Sequence, residues 1–230
     1  CNFFFYTIGH DLGIDTLGEY AHALGLGVST GIELVETTGN MSNAANHMEY
    51  AGSEWRIGDT LQAAIGQSDS VFTPLQLAEY CAAVANNGER HSASILKSIR
   101  NYDYSEKVYE RQDEVLSTVE SPQYNWDAIH EGMKEVINSP LNETNYLNFY
   151  DCAVTVAGKT GTAQKGEGIK NDGLFICYAP YEDPEIAVAV VVERGHAGAS
   201  VGFIARQIVD VYLNIRSYSN TSESEMSLLK

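Results

Sequence analysis

The sequence predicts an α+β domain: a helix-rich first half, then three antiparallel strands and a closing helix. Three observations predict it. Apolar residues recur at helical spacing behind a good N-cap in the first half, most clearly after Thr73-Pro74. The last third holds short apolar runs of strand type, at 152–157, 174–179 and 186–192. Only Tyr181-Glu182-Asp183-Pro184 and a little flanking chain separate the last two, and so short a turn demands antiparallel neighbours.

The first 25 residues read as two helices. Phe3, Phe4, Phe5, Tyr6 and Ile8 make an apolar first segment. Asp15 is the expected cap of the second, with Leu17, Tyr20, Ala21 and Leu24 on one face and Gly25 at its end. Residues 26–57 are rich in Gly, Thr, Asn and Ser without a period, and read as a long loop. Thr73-Pro74 then opens a helix carrying Leu77, Ala78, Cys81, Ala82 and Ala85, closed by Gly88. Residues 95–100 read as a short strand and the charged, tyrosine-rich 101–123 as a surface excursion. Trp126, Ile129, Met133, Val136 and Ile137 mark another amphipathic helix. Ile186 to Val192 is apolar at every position, which predicts a central strand covered on both faces. Val201, Ile204, Ile208 and Val211 should form the sheet-facing side of the last helix, and residues 215–230 read as a loose tail after a domain spanning 1–214.

The composition is that of a globular chain, with 44% hydrophobic and 20% charged residues. A net charge of -17, from 31 acidic and 14 basic residues, repels phosphate backbones and argues against nucleic-acid binding. No stretch approaches the length of a membrane span. Cys1, Cys81, Cys152 and Cys177 have no metal-site spacing, and Cys81 and Cys177 sit in apolar runs that predict burial. The six histidines form no HxH or HxxxH pair, so neither a metal site nor a cofactor is expected.

Gly158-Lys159-Thr160-Gly161-Thr162 allows two chemical readings. A phosphate loop requires an earlier glycine, where Ala153 stands, and a helix directly after the lysine. The sequel Gly161 to Gly168 contains too many glycines for that helix. The other reading is the Lys-Thr-Gly triad of penicillin-recognising serine acyl-transferases. A strand before the motif and a glycine-rich turn after it fit that context.

The surrounding segments carry a resemblance. Ala157 to Gln164 (AGKTGTAQ), Phe175 to Pro180 (FICYAP), Gly58-Asp59-Thr60, Ala64-Ile65-Gly66-Gln67 and Thr73 to Ala78 (TPLQLA) occur in order. Together they resemble class B penicillin-binding proteins, the monofunctional peptidoglycan transpeptidases, over nearly the whole chain. That family carries an SxN motif before an aromatic run, and Cys1-Asn2-Phe3 resembles its last two positions. The resemblance implies that the chain begins inside SxN, with the nucleophilic SxxK serine upstream. Ser94-Ile95-Leu96-Lys97 has the letters of SxxK but the wrong order relative to Asn2. The departures are Leu174, where the family favours an aromatic residue, and Ser68-Asp69-Ser70 after Gln67 in place of a glycine-led stretch.

The resemblance implies the C-terminal part of the penicillin-binding transpeptidase and serine β-lactamase-like fold. It also implies roles. Lys159 and Thr160 would hold the substrate carboxylate, Gly161 would leave room above the strand, and Asn2 would bond the peptide portion. The backbone N–H of Thr162 would form half of the oxyanion hole. Peptidoglycan stem peptides and β-lactams are the implied ligands. The implied parent is anchored outside the cytoplasmic membrane within a cell-wall synthesis complex. Without its serine the chain alone is expected to be inactive. The family sheet also takes two strands from upstream, so the 186–192 strand is expected to present an edge that self-associates or is covered. A D,D-carboxypeptidase, a β-lactamase-like hydrolase and a non-catalytic penicillin sensor are the alternatives.

Overall fold

The chain was analysed as a computed structural model that describes residues 1–166 and 168–225. It divides into two compact units, Cys1–Gln123 and Tyr124–Lys230.

In the first unit, α1 (Asn2–Leu12) and α2 (Ile14–Ala23) confirm the two expected helices. The residue between them corrects the capping. Gly13, at φ 78°, ends α1 and is the N-cap of α2, so Asp15 lies in the first turn and not at the cap. Gly9 lets α1 reach the helix that follows the long loop: a Cβ there would stand 2.2 Å from the Cβ of Ala64. The 26–57 segment is not all loop. It contains α3 (Ala44–Ala51), and α4 (Ile57–Ala63) begins at its end. Polar side chains, not a hydrophobic period, create both. Asn43 accepts from the Asn46 N–H at 2.9 Å while Asn46 accepts from the Asn43 N–H. The Asp59 carboxylate accepts from the Arg56 N–H at 2.7 Å.

α5 (Pro74–Ala85) matches its prediction. Thr73 Oγ1 accepts from the Gln76 N–H at 3.2 Å, and Gln76 Oε1 accepts from the Thr73 N–H at 3.0 Å. The Gln76 amide is fully buried and donates to the carbonyls of Val28 and Thr38, both at 2.7 Å. One side chain thereby caps a helix and stitches the long loop to it. Buried His47 makes a second polar knot, held between Asp69 and Ser53 with its ring edge-on to Trp55. The strand expected at 95–100 is present as β2 (Ser98–Arg100), and the surface excursion after it contains structure: β3 (Lys107–Glu110) pairs with β2, and β4 (Val115–Thr118) with β1 (Glu89–His91), both antiparallel.

In the second unit, α6 (Gln123–Asn138) is the amphipathic helix expected from Trp126 to Ile137, and α7 (Glu143–Phe149) is an addition. β5 (Ala157–Ala163), β6 (Asp172–Ala179) and β7 (Ile186–Val192) form one antiparallel sheet in the order β5-β6-β7. Two expectations fail here. The first strand is not 152–157 but the motif itself. The Val156 carbonyl accepts from Asn138 Nδ2 at 2.9 Å, outside the ladder that starts at Ala157. The central strand is β6, and β7 pairs only with β6 among the described residues.

α8 (Gly202–Glu225) follows a 3₁₀ turn at Gly198–Val201 and shares a core with the sheet. Val201 in that turn is buried and Ile204 packs against the same core, as expected, but the rest of the stripe is Ala205 and Val209, while Ile208 and Val211 are exposed, which corrects that part of the predicted face. Spacing by four places small Ala205 against the sheet, where the chain can approach closely. The α8 backbone continues to Glu225, through the start of the segment read as a tail; residues 226–230 lie outside the described residues. Phe149 and Phe175 stack at 5.7 Å in the core, and Cys177 is fully buried there, as Cys81 is in the first unit. Burial pushes the Cys177 thiol up to about 12, so it stays a neutral packing group.

Candidate substrate-binding strand

β5 presents the motif in unbroken register: Gly158 faces Cys177, Lys159 Ile176, Thr160 Phe175, Gly161 Leu174 and Thr162 Gly173. Side chains alternate between faces. Gly158, Thr160 and Thr162 share the face of buried Phe175 and Cys177, which carries the core; Lys159 and Gly161 share the other. Gly158 has no room for a side chain, since a Cβ would stand 2.6 Å from the Ile176 carbonyl oxygen and 3.2 Å from Ile137 Cδ1. Gly161 differs. A Cβ there would meet only Leu174, at 3.2 Å for its Cβ, so the strand presents bare backbone on that face.

Lys159 lies beside this bare stretch and is exposed. Its Nζ donates to the Thr160 carbonyl at 2.7 Å and forms no ion pair among the described residues. Desolvation by the surrounding protein lowers its pKa below the ordinary lysine value. A cation so placed, without a carboxylate partner, is suited to receive an anionic group.

Thr162 is held from the core side. Its Oγ1 accepts from the Gly198 N–H at 3.3 Å. The hairpin beyond the motif is tied at Asp172, which pairs with Ala163 across the ladder. The Asp172 carboxylate takes Lys165 Nζ at 2.6 Å and the Arg194 N–H at 2.8 Å, and the Lys165 bond is the chief cause of its lowered pKa. Neither Asp172 nor Gly198 was singled out from sequence. An aspartate opening a strand after a glycine-rich turn is the only signal that could have found the first.

Asn2 opens α1 in the other unit and is exposed, behind a Cys1 cap that makes no side-chain bond. Ser94 and Lys97 lie in the non-helical connection between β1 and β2. The Ser94 hydroxyl is engaged with Glu33 and the Leu96 carbonyl.

The profile of the penicillin binding protein transpeptidase domain matches residues 1–210. The chain belongs to that family. It is 32% identical to the peptidoglycan D,D-transpeptidase MrdA of Haemophilus influenzae, over 93% of the chain and 35% of that protein. It therefore spans about a third of the length of the curated relatives it matches. Among solved structures it resembles PBP2 of Pseudomonas aeruginosa in complex with WCK 5153, with a TM-score of 0.79 and 29% identity over 92% of the chain and 47% of that one. It also resembles the penicillin G acyl-enzyme of penicillin-binding protein A from Mycobacterium tuberculosis, with a TM-score of 0.75 and 25% identity over 93% of the chain and 46% of that one. The mixed α+β architecture and its antiparallel sheet are those of a transpeptidase domain of this family.

Proposed function

We propose that this chain supplies the recognition wall of a peptidoglycan D,D-transpeptidase that binds stem peptides and is acylated by β-lactams. The observation that carries the proposal is the β5 strand: an exposed Lys159 with no ion-pair partner among the described residues, beside the bare backbone of Gly161. Lys159 and the Thr160 hydroxyl receive the terminal carboxylate of the substrate. The backbone N–H of Thr162 donates to the developing oxyanion, an interaction worth about 3–4 kcal/mol per donor in such sites. Asn2 bonds the peptide portion.

The chemistry is covalent catalysis. A serine hydroxyl attacks the carbonyl between two D-alanines. The C–N bond breaks, the departing D-alanine amine takes a proton, and an ester remains. The amine of a second stem peptide then attacks that ester, forming the cross-linking amide and returning the proton to the serine. The nucleophile is the serine of an SxxK segment, as the resemblance implies. The working protein is anchored at the outer face of the cytoplasmic membrane, in a cell-wall synthesis complex, and the β7 edge is paired or covered there.

Intact-protein mass after incubation with benzylpenicillin tests this. The full-length natural polypeptide should gain one acyl adduct and the present chain none. Acylation of the present chain would place the nucleophile among its own serines. An unreactive full-length protein would remove the transpeptidase assignment.

A further inference from the structure

The segment after β7 is folded in an unusual way directly against the motif. Arg194 and His196 both adopt the left-handed conformation, at φ 57° and 68°, although neither is a glycine. Each is held there by a backbone bond: the Arg194 N–H donates to Asp172 Oδ1 at 2.8 Å and the His196 N–H to the Asn171 carbonyl at 3.0 Å. Between them, the Gly195 N–H returns to the Val192 carbonyl at 3.0 Å. Strained backbone persists where its surroundings over-determine it, and the question is what the strain achieves.

It brings Gly198 onto the motif. A Cβ on Gly198 would stand 2.4 Å from the Gly161 carbonyl oxygen, 2.6 Å from the Gly161 nitrogen and 2.3 Å from the Leu174 carbonyl oxygen. All three are backbone atoms, so no side chain can swing aside. The Gly198 N–H meanwhile donates to Thr162 Oγ1. Gly198 therefore touches the core-side surface of the two residues whose other side is presented to the ligand. Its backbone is ordinary, with no positive φ, so glycine is required there for space alone.

We infer that the Arg194–Gly198 segment is a brace that sets the position of Gly161 and Thr162, with Gly198 as the positioning residue for the Thr162 N–H. It is not a catalytic residue, because its contacts are to the strand and not to the ligand. The catalytic consequence rests on the function proposed above; the brace itself does not. A displacement of the Thr162 amide by a fraction of an ångström acts on the oxyanion, where positional error is most costly.

Two measurements separate the parts. In the isotope-labelled chain, Gly198→Ala should move the amide resonances of Gly161, Thr162 and Leu174 and leave those of the first unit in place. In the full-length polypeptide, the same substitution should slow acylation by a fluorescent penicillin roughly 10²-fold per acylatable molecule, with little change in the fraction acylated at long times. A purely structural defect would instead lower that fraction and leave the rate. Should Gly198→Ala fail to fold, Thr162→Val removes the hydroxyl acceptor and Thr162→Ser keeps it. The valine variant should shift the Gly198 amide and slow acylation, and the serine variant should restore both. Unmoved Gly161 and Thr162 resonances in folded Gly198→Ala, or an unmoved Gly198 amide in Thr162→Val, would overturn the brace. If the wild-type polypeptide is not acylated at all, the transpeptidase reading falls and the resonances alone decide the brace.

Discussion

Glu79 lies on α5 with its side chain buried, and neither carboxylate oxygen accepts a hydrogen bond among the described residues. Arg90 Nη1 stands 3.6 Å away, but that guanidinium is already committed to Ser117 Oγ and the Ser29 carbonyl. Burial outweighs the attraction of Arg90, Glu36 adds a like charge, and the Glu79 pKa rises from 4.5 to about 7. The folded state thus keeps a proton that the unfolded chain gives up above pH 4.5. Stability from this group is full below pH 4.5 and falls as pH rises through the window to about 7. At about 1.4 kcal/mol for each pH unit of that window, the loss is about 3 kcal/mol. Glu79→Gln replaces the acid with a neutral isostere of its protonated form. Urea unfolding of both proteins between pH 4 and pH 8 isolates the effect, since every other titrating group is common to the pair. The two stabilities should run parallel at the acid end. They should then diverge in favour of the glutamine variant by about 3 kcal/mol near pH 8. Curves that stay parallel across the whole range would refute the argument that Glu79 is buried and effectively unpaired.

Three other outcomes follow from the same geometry. Arg206 joins α8 to Asp151 at 2.6 Å and to the Asn148 carbonyl at 3.1 Å and pairs with Asp210 one turn on at 2.8 Å, so Arg206→Lys should cost roughly 1–3 kcal/mol by thermal melting; a variant as stable as the wild type would show the network to be idle. Thr73→Ala removes the acceptor for the Gln76 N–H and should cost about 1 kcal/mol, with Thr73→Ser recovering most of it in the same denaturation assay. Desolvation lowers the Lys159 pKa, so its charge disappears at lower pH than that of a free lysine. Penicillin acylation of the full-length polypeptide should therefore weaken on an alkaline limb that Lys159→Arg shifts to higher pH, and a limb unmoved by arginine would assign it to another group.

What the sequence revealed divides along physical lines. Helices whose evidence is periodic were legible: α5 and α6 carry apolar residues at helical spacing, and α5 adds a Thr-Pro cap that needs no tertiary context. β6 and β7 were legible because their apolar runs are bounded by a short turn. Helix α3 was not, because it buries the imidazole of His47 in place of an aliphatic stripe and begins with an Asn–Asn cap that composition reads as loop. Only β2 was read from sequence, at 95–100; its partner β3 and the pair β1–β4 are three- and four-residue strands with few buried side chains, too short for alternation to register.

The motif strand shows the sharper lesson. Its letters announce the chemistry, yet its small and polar residues hide the strand: apolarity placed β5 at 152–157, and the ladder places it at Ala157–Ala163. A strand with the role proposed for β5, offering backbone to a ligand, would not also be rich in β-branched apolar residues, so propensity gives no signal there. The same conflict explains Gly198. Nothing in the letters around it announces the brace inferred above, because that rests on an absence of atoms beneath Gly161: a Cβ on Gly198 would stand 2.4 Å from the Gly161 carbonyl oxygen. Lys159 and Thr160 can be picked out from the letters because the roles proposed for them rest on the groups they carry. The groups that hold them in place act through distance, and distance is set by the fold.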